Sequence, residues 1–535
     1  MTRAPAAEPA SAPTLTRGQC AALLALPLLT ALGWAAYTGE MWEDFLITFR
    51  HTENFMRGQG LVYHPPERVH GFTSVLNTLL PAPAMLFSER MIVAFHFYLV
   101  CSLLVMAGGL ASLFRAMRER LGSSPAELWS VSVLLALSVK VAAFSTNGQE
   151  GGLLVGFLGL GIAAALRFHE RRQWVWFGLA AAGLLYTRPD ALIYIVGLAW
   201  IAFRMFRSPW KELGPGFLRS ALLCALVYSP WLVFAWWYYG SPVPHTVMAR
   251  STGHVLINDS ALLTLKSMWW QFFGIAAEAF GPLYQPGNWP DLLLVPFTLV
   301  GLALPVYWAV PVADAFGRAC SAALCLLMIY LSWVGAQSVA FPWYMVPVCL
   351  LGILVTARAT WTLARGENRF VRQLAFGGFA TLLLANAACF GFSLKEMRIQ
   401  QIEIEDQTRT PVGLWLKEHA KPGEVVYAEC LGYVGYFFGG TMADYPGLVS
   451  PQVVEIRREH GDDYARVPVF LKPRWIVARP AELNKLFEVE ENKASYDVVG
   501  KFDAHERLDR YGRFPGESML RNDAVLYVLR RKDGL

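Results

Sequence analysis

WEDFLITFRHTENFMRGQGLVYHPPERVHGFTS runs from Trp42 to Ser74, directly after the apolar run Ala21 to Tyr37. It holds seven charged residues and three histidines, His51, His64 and His70, in a chain that is 55% hydrophobic and only 16% charged. An average soluble domain carries roughly 25% charged residues. Here the apolar residues are gathered into runs of about twenty, enough to cross a ~30 Å bilayer core at ~1.5 Å per helical residue. The chain reads as a polytopic α-helical membrane protein. Its densest polar chemistry follows the first span, and that placement asks for an explanation.

Working outward, about eleven spans are expected, near 19–38, 91–114, 126–144, 151–168, 173–187, 191–206, 217–238, 290–311, 317–335, 343–362 and 373–394. The first is read as an uncleaved anchor and not as a signal peptide, because further spans follow it. Arg115–Arg120, Arg167–Gln173, Arg204–Lys211, Asp314–Arg318 and Arg365–Arg372 are rich in Lys and Arg, whereas the alternate loops are poor in them. The positive-inside rule then places the N-terminus inside and the C-terminus outside. It also accounts for the net charge of +5 without a nucleic-acid partner. The expected organisation is a disordered leader over 1–18, a membrane domain over 19–394 with its first outer loop at 39–90, and an outer α/β domain over 395–535. Strand-like runs at Val425–Tyr427, Trp475–Ala478 and Val525–Leu529 mark that last domain. Seven of the eight cysteines lie in or beside apolar runs and Cys430 is alone in the polar region, so no disulfide framework is implied.

If 43–57 is a helix, Glu43, Ile47, Arg50, Asn54 and Arg57 share one face and Asp44, Thr48 and His51 the next. Such a helix lies at the membrane surface, and a carboxylate facing a cavity can take a proton from an attacking hydroxyl. Arg50, Arg57, Arg68 and the histidines can neutralise a phosphate. The plainer reading is an interfacial helix with solvated charges, against which the Gly and Pro of GQGLVYHPPERVHGF argue for a shaped loop. Four more clusters fall in the same set of outer loops. In STNGQEGG, Gln149 and Glu150 either cap a helix or face substrate or metal. In YTRPD, Arg188 and Asp190 either pair with each other or present Arg188 to a phosphate. YYGSPVPHTVMAR offers His245 and Arg250, and AFPWYMVP offers Trp343 and Tyr344 as belt aromatics or as sugar and isoprenoid contacts.

The order ED-x-x-I-T-F-R, GQGLVYHPPERVHGFTS, NGQE, TRPD and YYGSPVPHT resembles bacterial integral-membrane glycosyltransferases of the GT-C superfamily. The likeness is greatest to the arabinofuranosyltransferase type that uses polyprenyl-phosphate sugars. KPGEVVYAECLGYVGYFFGG and DYPGLVSP (Asp444–Pro451) resemble the periplasmic domain of such proteins. The resemblance implies a multi-pass protein of the bacterial inner membrane, with the N-terminus cytoplasmic and the C-terminal domain periplasmic. It further implies that the acidic pair of the first outer loop supplies the catalytic base. Glu43 stands where Asp is usual and Asp44 keeps the second position; Asp44 is favoured as the base, with Glu43 left open. Arg250 stands where Lys is frequent, and His245 where Asn is common.

The function expected is transfer of a sugar, arabinofuranose on the resemblance, from a polyprenyl-phosphate donor to a periplasmic glycan, lipid or protein hydroxyl, with inversion. Membrane lipid is the other expected partner. The leaving group is already a phosphate, so stabilising its charge matters more than protonating it. Arg50, Arg68, Arg188, His245 and Arg250 are the candidates for that work. No cofactor is assigned, and a divalent cation held by Glu43, Asp44 or Glu150 is a second use of the same acids. A transporter or flippase of a lipid-linked saccharide is the alternative from another class. It predicts functional groups at mid-membrane and a repeat relating two halves, neither of which the sequence displays. A structural or assembly protein leaves the outward clusters unexplained.

Overall fold

The computed structural model describes residues 16–206, 210–252, 261–284, 288–337 and 341–532. Most of the expected leader, and parts of the loops expected at 204–211, 238–290 and 337–344, lie outside the described residues. Helix α1 (Arg17–Thr38) opens on a capping box: Thr16 Oγ1 accepts from the Gln19 amide at 3.2 Å, and Gln19 Oε1 accepts from the Thr16 amide at 2.9 Å. Its end at Gly39, φ +63°, turns the chain into α2 (Glu43–Met56). Two short helices, α3 (Val75–Leu79) and α4 (Ala82–Met85), lead to the long α5 (Met91–Leu121).

The expected span at 126–144 is two helices, α6 (Pro125–Leu137) and α7 (Val139–Thr146), bent by 62°. Ser138 causes the break: its backbone is extended and its hydroxyl caps the Val141 amide. Next come α8 (Gly151–Leu166), α9 (Gln173–Thr187) and α10 (Leu192–Met205), then α11 (Trp210–Tyr239) and α12 (His245–Ser251). Gly109 of α5 and Gly156 of α8 lie backbone to backbone; a Cβ on Gly156 would stand 2.5 Å from the Val105 carbonyl oxygen. Small residues permit that approach where lipid supplies no hydrophobic drive between helices.

Residues 238–290, read from sequence as one long loop, contain a further helix, α13 (Ala261–Phe280). It packs on α14 (Asp291–Ala303) and α15 (Ala315–Gln337), and the buried Lys140 ammonium holds the turn after it by donating to the Glu278 and Pro282 carbonyls, each at 2.6 Å. The bundle closes with α16 (Val346–Ala364) and α17 (Arg369–Ile399). Among the described residues, seven helices are long and apolar enough to cross a membrane, or eight if the bent pair is one span. The other three expected spans are the shorter helices α8, α9 and α10, which fold as helices but fall below that length. This is a multi-pass integral membrane protein.

A π-helical stretch, Gln400–Arg409, joins α17 to α18 (Thr410–His419) and so to the C-terminal unit. There β1 (Val425–Ala428), β2 (Thr441–Asp444), β3 (Trp475–Ala478), β4 (Tyr496–Asp503) and β5 (Val525–Arg531) form one sheet in the order β2-β1-β3-β5-β4. β1 is parallel to β2 and β3, while β5 is antiparallel to β3 and β4. Helix α19 (Gly432–Phe438) follows β1, and α20 (Pro451–His460) follows β2. Gly432 lies against the backbone of Glu43 with no room for a side chain, so α2 is held between this unit and the bundle.

Candidate active site

Helix α2 is fixed by its apolar side. Phe45 and Phe49 are buried and stack at 5.6 Å, Phe45 meets Phe95 edge-on at 5.1 Å, and the Trp42 amide donates to the Asn147 carbonyl at 2.8 Å. With 3.6 residues per turn, consecutive side chains diverge by about 100°. Glu43 therefore turns to the C-terminal unit: Oε1 accepts from the Gly432 amide at 2.9 Å and Oε2 pairs with Arg409 Nη1 at 3.1 Å. Asp44 lines a cavity of about 1410 Å³, and its Oδ2 accepts from Gln149 Nε2 at 3.1 Å.

The polar end of that cavity gathers residues from distant segments: Asp44, Gln149, Glu150, Arg188, Asp190 and Arg250. A mainly apolar wall runs along α9, α10, α11 and α15, with Leu192, Val196, Trp200 and Phe203 from α10. Arg188 is paired with two carboxylates. Its Nη1 pairs with Glu150 Oε1 at 2.8 Å, and its Nε and Nη2 hold the two Asp190 oxygens at 2.8 and 3.0 Å. Tyr330 donates to Asp190 Oδ2 at 3.1 Å, and the Arg188 guanidinium lies 4.2 Å above the Tyr344 ring. Arg250 is the contrasting cation. It touches the Tyr344 hydroxyl and lies 4.8 Å from the Phe341 ring centre, but among the described residues it makes no ion pair. Burial raises the Asp44 carboxyl above its ordinary range, while the Arg250 charge and the Gln149 hydrogen bond draw it back down. Burial lowers the Arg250 guanidinium, and Asp44 opposes that fall.

The sequence reading grouped these residues with others that the structure places elsewhere. Trp343 and Tyr344 line the cavity, but Arg50, His51, His64, Arg68, His70 and His245 do not. Arg50 reaches the Gly439 carbonyl at 3.0 Å, tying α2 to the C-terminal unit. His64 meets the Met442 carbonyl at 3.0 Å and is pushed down to about 4 by burial; Arg68 stacks 4.8 Å over Tyr238. Both line a separate cavity of about 380 Å³ against β2. His51, bonded to the Ile47 carbonyl at 2.9 Å, is pushed down to about 4 by burial, and His70, stacked on Tyr239 at 4.6 Å, to about 3. These three histidines are neutral near pH 7 and cannot oppose a phosphate by charge. His245 opens α12, its amide donating to the His70 carbonyl at 2.9 Å. Sequence reasoning passed over Asn77, which lines the cavity and accepts from Tyr98 at 2.5 Å, and over Tyr330. A lone Tyr inside an apolar span carries no signal of such a role.

The divalent-cation expectation finds little support in the acids themselves. Glu43 and Glu150 are engaged by arginines, and no three His, Cys, Asp or Glu side chains converge on a metal position among the described residues.

The membrane bundle with its appended α/β unit shares its overall fold with ArnT, an oligosaccharyltransferase and an arabinofuranosyltransferase. ArnT from Cupriavidus metallidurans, solved with undecaprenyl phosphate, superimposes with a TM-score of 0.51 over 96% of this chain and 98% of its own, at 12% identity. The Archaeoglobus fulgidus oligosaccharyltransferase, in a complex with Zn and sulfate, gives 0.54 over 90% of this chain and 72% of its own, at 13% identity. The arabinofuranosyltransferase AftD from Mycobacteria gives 0.51 over 97% and 40%, at 14% identity. In sequence, the chain is a distant relative of the terminal β-(1→2)-arabinofuranosyltransferase of Mycobacterium tuberculosis (strain ATCC 25618 / H37Rv). The two are 26% identical over 240 residues, which is 41% of this chain and 36% of that protein, about a third of the relative's length. Residues 397–524 match a family model described as a domain of unknown function, DUF8728.

Proposed function

We propose that this protein transfers a sugar from a polyprenyl-phosphate donor to a hydroxyl of a glycan, lipid or protein acceptor, in the bacterial inner membrane, with the C-terminal unit on the periplasmic side. The kinship to an arabinofuranosyltransferase favours arabinofuranose as that sugar. One observation carries the reading: Asp44 and Arg250 line one cavity whose wall along α9, α10, α11 and α15 is mainly apolar. A lipid phosphate needs both surfaces, a greasy groove for its chain and a cation for its head.

The polyprenyl chain lies along Leu192, Val196, Trp200 and Phe203, with the phosphate at Arg250. Asp44 takes the acceptor's hydroxyl proton as that oxygen attacks the anomeric carbon. The bond from that carbon to the phosphate oxygen breaks, releasing polyprenyl phosphate with inversion. Arg250 carries the charge that stays on the phosphate. Arg188, already paired with Glu150 and Asp190, shapes the cavity through its contact with Tyr344. Glu43 anchors α2 and takes no part in proton transfer.

The test incubates purified protein with synthetic polyprenyl-phosphate sugars and an acceptor glycan, comparing wild type with Asp44→Asn. Consumption of donor by wild type and not by the folded variant supports the reading. A variant that transfers as fast as wild type removes Asp44 from the base role. Movement of lipid-linked saccharide between leaflets without transfer supports a transporter instead. A periplasm-active reporter fused after Leu535 tests the orientation, and a silent fusion overturns it.

A further inference from the structure

We propose that Arg457, in the C-terminal unit, is the positioning residue that sets Arg250 at the donor phosphate; this rests on the donor reading above. Arg250 sits near the end of α12, a seven-residue helix too short to hold itself in place. Both of its ends are fastened. At the start, the His245 amide donates to the His70 carbonyl at 2.9 Å. At the finish, Arg457 spans the last turn: Nη1 donates to the Ala249 carbonyl at 2.7 Å and Nη2 to the Thr252 carbonyl at 2.6 Å. A terminating helix leaves such carbonyls without partners, and a cation suits them.

Arg457 is itself immobilised. It is only 3% exposed, its Nε pairs with Asp462 Oδ1 at 2.5 Å, and its guanidinium lies 5.0 Å from the Tyr445 ring centre. Nη1 also donates to the Pro446 carbonyl at 2.6 Å. That last bond joins α12 to the DYPGLVSP segment, whose Leu448 lines the main cavity. Asp444 organises the segment from within, accepting from the Gly447, Leu448 and Val449 amides at 3.0, 2.5 and 3.0 Å and from Ser450 Oγ at 2.8 Å. The sequence motif at 444–451 is thus a shaped loop through which Arg457 ties the C-terminal unit to the helix carrying Arg250. Arg457 touches no part of the cavity and acts only through α12.

The experiment measures undecaprenyl phosphate binding to the full-length protein in lipid nanodiscs, for wild type, Arg250→Gln, Arg457→Gln, Arg457→Lys and the Arg250→Gln/Arg457→Gln pair. Arg457→Gln is expected to weaken binding at least ~10-fold, as losing a charge-assisted contact to the lipid phosphate would. Arg457→Lys, which keeps the charge but not the three-carbonyl reach, is expected to fall between. The double variant is expected to bind no more weakly than Arg250→Gln alone, because one residue works through the other. Additive losses, or wild-type affinity in Arg457→Gln while Arg250→Gln is weakened, overturn the inference and leave the donor reading standing. If Arg457→Gln does not fold, the same cycle run with Arg457→Lys decides. Wild-type protein that binds no undecaprenyl phosphate overturns the donor reading and this inference together.

Discussion

Glu43 and Asp44 are adjacent in the chain yet belong to different parts of the molecule. Glu43 pairs with Arg409 at 3.1 Å in the joint with the C-terminal unit, and Asp44 accepts from Gln149 at 3.1 Å at the cavity. The proposed roles divide accordingly. Asp44→Asn keeps the shape and removes the base, so kcat is expected to fall by ~10²–10⁴-fold, the usual worth of a positioned general base. Steady-state transfer assays on variant protein with a wild-type melting curve check it, and a loss under threefold would sink the assignment.

Glu43→Gln is expected to act on stability instead. It leaves the buried Arg409 with Glu405 at 2.8 Å and Asp523 at 3.0 Å but one ionised partner short. Losing one bond to a buried charge costs about 1–3 kcal/mol. Thermal unfolding of the detergent-solubilised protein is expected to move down by several degrees, with transfer at permissive temperature within about threefold of wild type. Equal stability with abolished transfer would return Glu43 to the list of bases.

Why the sequence separated these two acids poorly, yet found both, follows from what each signal depends on. Charge standing out against an apolar chain located α2, the NGQE and TRPD segments and α12, because ionised groups beside a membrane are costly unless they serve a purpose. Apolar run length found every span-length helix and the shorter α8, α9 and α10, but not α13, whose Lys266, Gln271 and Glu278 dilute its apolar run. It also missed the break at Ser138, since a serine in extended backbone leaves no trace in hydropathy. The histidines misled for a related reason. His51, His64 and His70 sit in a polar stretch of sequence but are turned inward by the fold, and burial is a property of neighbours drawn from α11 and β2 that the local sequence does not reveal. Strands β2 and β4 lay outside the three strand-like runs, β2 because it is four residues beside a Gly-Gly pair and β4 because its residues are mostly exposed and interspersed with charge.

The two cavity arginines are expected to differ in kind. Arg250→Gln removes the cation that makes no ion pair among the described residues, so the donor KM is expected to rise ~10–100-fold, consistent with a charge-assisted contact worth about 1.5–3 kcal/mol, with a smaller change in acceptor KM. Arg188→Gln leaves Glu150 and Asp190 facing one another without their shared counter-charge and is expected to cost folded protein first. Kinetics at varied donor and fixed acceptor test the first, and yield of monodisperse protein tests the second. A donor KM unmoved in Arg250→Gln would place the phosphate elsewhere.

The pH dependence carries a sign that separates activity from stability. A general base works only when deprotonated, so kcat/KM is expected to rise with pH through a pKa above the ordinary Asp value of ~3.9, because burial raises the Asp44 carboxyl. The Arg250 charge draws that value down, so in Arg250→Gln the rising limb is expected at higher pH than in wild type. Stability follows another course. His51 and His64, held to about 4 by burial, stay neutral in the folded state while the unfolded chain binds protons below ~6.5. Their contribution is complete above that value and is lost as pH falls from ~6.5 toward 4, at up to about 1.4 kcal/mol per pH unit for each histidine. Rate profiles bracketed by return to neutral pH keep the two apart, since a limb due to Asp44 reverses instantly. A limb that moves with His51→Gln, or stays fixed in Arg250→Gln, would show that some group other than Asp44 governs the rate.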